Sequence, residues 1–107
     1  MHGGRMRAQD HFGWVLRRRR DDLGLTQREI AERSDFDRSY IADLERGQAH
    51  PSLGTILRLA KALKLTPAEL LQQVDEAIQG DTNYQPERKR PHRPRREREP
   101  DTSDSTP

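Results

Sequence analysis

Every leucine, isoleucine, valine and phenylalanine of this 107-residue chain, 19 in all, lies at or before Ile78, and the 29 positions that follow hold one large apolar side chain, Tyr84. A hydrophobic core must therefore come from a stretch of roughly 65–70 residues, which leaves room for one domain and not two. A domain of that size is marginal without staples. Cysteine is absent, so disulfides and thiolate zinc sites are excluded. The four histidines, His2, His11, His50 and His92, show no paired spacing that would close a metal site, and no cofactor is expected. Stability has to come from well-capped, well-packed elements. No run approaches the ~18 apolar residues of a membrane span, and the N-terminus has no apolar signal core. The expectation is a cytoplasmic protein with no membrane partner.

Charge says little in total. Twenty Lys and Arg stand against 18 Asp and Glu, a net of +2, split as 13 against 12 over residues 1–79 and 7 against 6 over 80–107. Any role with nucleic acid must come from arrangement. Arginine outnumbers lysine 17 to 3, which suits bidentate recognition of phosphate and guanine, but a GC-rich genome yields the same ratio, so it carries no weight alone.

The chain divides in three. Residues 1–10 lack apolar periodicity and read as a flexible arm. Residues 80–107 hold five of the seven prolines and the run Arg88-Lys89-Arg90-Pro91-His92-Arg93-Pro94-Arg95-Arg96; they bury too little to offset their ordering entropy, and disorder is expected. Between them, residues 11–79 show no strand-like alternation and five helical segments, an all-α pattern. The first spans 11–23, with Phe12, Val15, Leu16 and Leu23 on one face and Gly24 as its stop. The second opens with the capping box Thr26 and Glu29 and lasts two turns. The third follows Asp37 as N-cap and covers 38–46, with Ile41 and Leu44 inward and Gly47 as its stop. The fourth follows Ser52, with Leu53, Ile56, Leu57, Ala60 and Leu63 inward. The fifth starts with a second capping box, Thr66 and Glu69, with Pro67 at the first helical position; Leu70, Leu71, Val74 and Ile78 form its apolar side.

Two short helices joined across Ser34-Asp35-Phe36 form a helix-turn-helix. The turn needs a residue that tolerates the left-handed region, and aspartate is permitted there though inferior to glycine. Phe36 is expected to tuck beneath it. Arg38, Ser39, Ala42, Asp43 and Arg46 face away from Ile41 and Leu44, as a helix lying in a major groove requires, although plain amphipathicity leaves the same pattern. The run Arg17-Arg18-Arg19-Arg20 spreads around its helix at ~100° per residue, leaving Arg17 or Arg18 as a possible phosphate contact. Trp14 reads either as a contact surface or as packing against the fifth helix or the chain ends. No nucleophile is paired with a base and no glycine-rich phosphate loop exists, so an enzyme is not expected.

Residues 12–71 resemble the Cro/phage-repressor type of helix-turn-helix domain, the XRE family. The resemblance rests on Phe12-Gly13, Leu16-Arg17, Arg20, Leu23-Gly24-Leu25-Thr26-Gln27, Ile30-Ala31, Tyr40-Ile41, Leu44-Glu45-Arg46-Gly47, Pro51-Ser52-Leu53, Ile56, Leu59-Ala60-Lys61-Ala62-Leu63 and Glu69-Leu70. It implies a compact five-helix, lambda-repressor-like domain that binds operator DNA, double-stranded, usually as a homodimer. By position, Gln27 would touch the DNA backbone and brace the recognition helix, with the amides near Gln27 and Arg28 favouring a phosphate. Arg38 and Ser39 would point at base edges, Asp43 one turn on, with Tyr40 and Arg46 near phosphates. Arg20 and Glu45 match a structural ion pair between first and third helices. Arg38 can donate twice to guanine; Asp43 can accept from cytosine, exclude, or orient Arg38. Arg19, Asp35 and Lys64 depart from the family, the first from an apolar residue and the others from glycines. The leading expectation is a sequence-specific DNA-binding transcriptional regulator. The alternatives are an antitoxin-like or adaptor protein that binds a protein partner through residues 80–107 or Trp14 and uses DNA only for autoregulation, and a general nucleic-acid binder with no sequence preference.

Overall fold

Thr26, Ser52 and Thr66 each begin a helix by the same chemistry, a hydroxyl accepting from the amide three residues on, at 3.0 Å in every case. The threonines complete the exchange, their own amides donating to Glu29 and Glu69 at 2.8 Å. These caps satisfy donors that a helix N-terminus leaves without intrahelical partners. The structure, a computed structural model, describes residues 6–81. Among the described residues it has five helices and no strand: α1 (Ala8–Asp22), α2 (Gln27–Ser34), α3 (Arg38–Glu45), α4 (Leu53–Ala62) and α5 (Pro67–Gln79). The expectation for the tail falls outside these residues except at Gly80 and Asp81.

α1 begins at Ala8, three residues earlier than the apolar periodicity places it. Asp10 is the reason. Its carboxylate accepts from the Arg7 amide at 2.9 Å and from the Arg7 guanidinium at 3.1 Å, and that hydrogen-bonded cation holds Asp10 below the usual carboxylate range. Arg7 also donates to the carbonyl of Gly47 at 2.9 Å, so the end of the expected arm is tied to the turn after α3. Asp37 occupies the N-cap position of α3, but its side chain makes no capping bond.

Leu16, Ile30, Ile41, Leu44, Leu59, Leu63 and Leu70 are wholly enclosed and draw all five helices onto one core. Within that core α1 crosses directly behind α3. A Cβ built on Gly13 would lie 2.4 Å from the carbonyl oxygen of Leu44 and 2.7 Å from that of Glu45, so only glycine lets the backbones approach this closely. Gly13→Ala is expected to push α1 off α3 and cost about 1–3 kcal/mol of stability, read from urea unfolding as a lower midpoint at unchanged slope.

The fourth and fifth helices correct two readings. Leu53, Leu57 and Leu71, expected inward or on the core side, are 70%, 46% and 45% exposed, while Thr55, Leu59 and Ala62 are buried. The apolar arc of α4, opposite Gly54, Arg58 and Lys61, is wider than the strip that can pack, so periodicity marks the apolar side but not which part of it is buried; packing against α2 and α5 decides that.

Each of the first four helices is followed by a left-handed residue: Gly24 (φ 72°), Asp35 (φ 60°), Gly47 (φ 73°) and Lys64 (φ 61°). Helix C-termini leave carbonyls without intrahelical donors, and an arginine serves each of these turns, Arg20 from within its own helix and the others from distant segments of the chain. Arg20 donates to Leu25 at 2.8 Å, Arg7 to Gly47, and Arg19 to Leu63 at 3.0 Å. Arg58 binds Ser34 at 3.1 and 2.8 Å and Asp35 at 2.6 Å. Arg19, which replaces an apolar residue of the family pattern, thus binds the end of α4 instead of swinging into solvent.

Candidate nucleic-acid interface

α3 is eight residues long and carries its apolar side chains, Ile41 and Leu44, fully buried. Burial of that stripe turns Arg38 and Ser39 outward, and both are exposed at the helix start. A chain of hydrogen bonds runs from the interior to this rim. Arg20 of α1 donates from Nε and Nη2 to the two oxygens of Glu45 at 2.6 and 3.0 Å. The side chains of this pair are only 12% and 5% exposed, and the Glu45 hydrogen bonds raise the Arg20 guanidinium above its ordinary value. Gln27 Nε2 donates to Glu45 Oε1 at 3.0 Å, and Arg38 Nη1 donates to Gln27 Oε1 at 3.0 Å. The Gln27 amide is thereby used at both ends, and the reach of Arg38 is set by a fixed partner.

Arg20, Thr26, Gln27, Arg28, Glu29 and Arg38 line an open cleft of about 700 Å³ where α2 begins. Its lining includes the first turn of α2 and the exposed Arg28 and Arg38. Helix-terminal amides flanked by a guanidinium such as that of Arg28 are suited to a phosphate oxygen.

One turn further along the same face of α3, Asp43 accepts from Arg46 Nη2, a pair that is 45% and 61% exposed. Of the roles left open for Asp43, orienting Arg38 does not occur: its carboxylate faces Arg46. Tyr40, matched to a position near phosphates, is half-buried, and its hydroxyl shares a 3.1 Å hydrogen bond with Thr55 of α4. Phe36 packs edge-on against Tyr40 with ring centroids 5.1 Å apart. Arg17 and Arg18 are exposed, the first 3.9 Å from Asp21 and the second 5.2 Å from the Trp14 ring centre. Trp14 lines a groove of about 640 Å³ between α1 and α5 and keeps 49% of its surface exposed. At the end of that groove His11 Nε2 lies 3.1 Å from Asp81 Oδ2, both side chains buried. Sequence reading missed Arg58 entirely; its partners lie 23 and 24 residues away and no local pattern marks it.

Two helices with a left-handed turn between them, the second presenting a polar rim over a cationic notch, define a helix-turn-helix domain. A family model described as helix-turn-helix matches residues 16–70, and the chain belongs to that family, in its Cro/phage-repressor (XRE) branch. It is 42% identical over 59 residues to the uncharacterised HTH-type transcriptional regulator y4dJ of Sinorhizobium fredii, a match covering 55% of this chain and 77% of that protein. It is also similar to the crystal structure of the restriction-modification controller protein C.AhdI from Aeromonas hydrophila, at 47% identity and TM-score 0.56 over 58% of this chain and 94% of that one. The fold recurs, at 21% identity and TM-score 0.66 over 70% of this chain and 99% of that one, in the controller protein C.Esp1396I, whose tetramer was solved on its natural 35 base-pair operator. No described helix is long and apolar enough to cross a membrane. The residues invoked for a tail-mediated protein partner lie, apart from Gly80 and Asp81, outside those described.

Proposed function

We propose that this protein is a sequence-specific transcriptional regulator that seats α3 in the major groove of operator DNA. The single observation that carries this reading is the hydrogen-bonded chain from Arg20 through Glu45 and Gln27 to Arg38. It fixes a guanidinium at the start of an exposed helix, beside a notch shaped for phosphate. Arg38 and Ser39 read base edges, Arg38 as a two-pronged donor to guanine. Gln27, Arg28 and Arg46 set register through the backbone, with Tyr40 beside them. Asp43, neutralised by Arg46, meets the groove as one half of a pair. The protein acts by binding and not as an enzyme, and it works in the cytoplasm, at the nucleoid when bound.

The regulator acts as a homodimer. Leu53, Leu57 and Leu71 remain exposed on α4 and α5, and apolar side chains left in water on a small domain are suited to a self-complementary interface. Leu57→Glu is therefore expected to shift the protein toward monomer in sedimentation equilibrium while leaving the helical signal intact. Two-fold symmetry places the half-sites about one helical turn, ~34 Å, apart. Selection of bound duplexes from a random library tests the whole reading. A near-palindrome containing guanine in each half-site supports it. A bound pool with no sequence preference, whose affinity collapses with salt, overturns it in favour of a general nucleic-acid binder.

A further inference from the structure

The turn between α2 and α3 is strained, and its restraint comes from α4. Asp35 sits at φ 60°, ψ 44°, a region that L-residues other than glycine adopt at a cost. Its own side chain is fully exposed, with Oδ2 3.8 Å from Arg58 Nη2. The guanidinium of Arg58 instead grips the main chain. Nε and Nη2 both donate to Ser34 O, and Nη2 donates also to Asp35 O. The same group lies 3.9 Å from the centre of the Phe36 ring, which meets Tyr40 of α3, whose hydroxyl returns to Thr55 of α4. Thr55 and Arg58 are three residues apart and so lie on one side of α4. The result is a closed circuit from α4 through the turn to α3 and back to α4. α2 packs onto α3 and α4, and α1 onto α3; beyond the shared apolar core, this circuit adds a polar and aromatic link from α4 to the recognition helix.

We infer that Arg58 is a positioning residue for operator recognition: by clamping the Ser34 and Asp35 carbonyls and stacking on Phe36, it fixes the angle at which α3 is presented. It need not touch DNA. The inference rests on the operator-binding reading for its functional consequence, but its structural half stands apart from it. The planar, forked guanidinium matters, because an ammonium cannot hold the two carbonyls and stack on a ring at once.

A second role is possible for the same contacts, simple relief of strain in the turn, and Asp35→Gly separates the two. Glycine adopts φ 60° without that strain. The full chain is compared with R58A, R58K, D35G and the double variant R58A/D35G. Three readouts are used: thermal midpoint, affinity for a selected operator and for a shuffled duplex at one salt concentration, and residual dipolar couplings of the 38–45 amides relative to α1. Loss of a well-placed base contact weakens specific binding about tenfold or more, and that loss is expected for R58A on the operator, with less than about twofold change on shuffled DNA. R58K is expected to recover only part of it. In the double variant the midpoint should return while operator affinity and the α3 couplings stay altered. Return of operator affinity together with the midpoint overturns the inference, as do α3 couplings in R58A that match the parent. If the parent chain selects no preferred sequence, the operator reading fails, and the couplings alone decide whether Arg58 orients α3.

Discussion

Glu45→Ala is expected to destabilise the domain by about 3–5 kcal/mol, because removing one partner of a buried ion pair leaves the other charge enclosed without its main counter-charge. Stabilities of small domains run to about 5–15 kcal/mol, so the variant would sit close to unfolding at room temperature. The loss falls on more than one contact. Glu45 accepts from Arg20 twice and from Gln27 once, so its removal leaves Arg20 with only the Leu25 carbonyl and the exposed carboxylate of Asp21, 3.4 Å away, and releases the partner that fixes Gln27. Urea unfolding measures the first effect. Replacing both members, as Arg20→Met with Glu45→Leu, should cost far less than Glu45→Ala alone, since no orphan charge remains. A double variant as unstable as the single would place the stabilisation elsewhere.

Arg38→Ala is expected to leave the fold intact and to weaken binding about 5- to 150-fold at a single base pair of the operator, with specificity relaxed at that position. Arg38 is exposed and its protein partner is the Gln27 carbonyl oxygen, so little stability is at stake. Binding to a panel of operators permuted one position at a time gives the measurement. Affinity for random DNA and the salt slope should stay nearly constant, because a base-reading side chain neutralises no phosphate. A uniform loss across all sequences with a shallower salt slope would reassign Arg38 to the backbone. Gln27→Ala should move binding in the same direction by less, as it frees Arg38 without deleting it.

The local features were legible because local chemistry makes them. The boxes at Thr26 and Thr66, the stop at Gly47 and the polar rim of α3 are each set within four residues, the range over which capping and helical periodicity act. The start of α1 was misplaced for the converse reason. Apolar periodicity begins at Phe12, whereas Asp10 gathers Arg7, and Arg7 ends on Gly47, a partner 40 residues away. Periodicity places Leu53 and Leu57 inward because the apolar arc of α4 is broad, and which part of that arc is covered depends on where α2 and α5 lie. Asp43 admits three roles by residue type alone, and its neighbour Arg46, three residues on along the same helix, takes one of them away.

The amino-acid order alone determined that there would be five short helices, where most of them begin, and which one presents a polar rim, since those properties depend on neighbours along the chain. Tertiary structure alone decided what the arginines are for. Arg7, Arg19, Arg20 and Arg58 look interchangeable in sequence, yet each closes a different helix-terminal turn, and only Arg20 was recognisable beforehand, through its match to a family ion pair. The physical reason is reach. A guanidinium on a long stem bonds whatever carbonyl the fold brings within about 3 Å, and which carbonyl that is depends on how helices far apart in sequence pack.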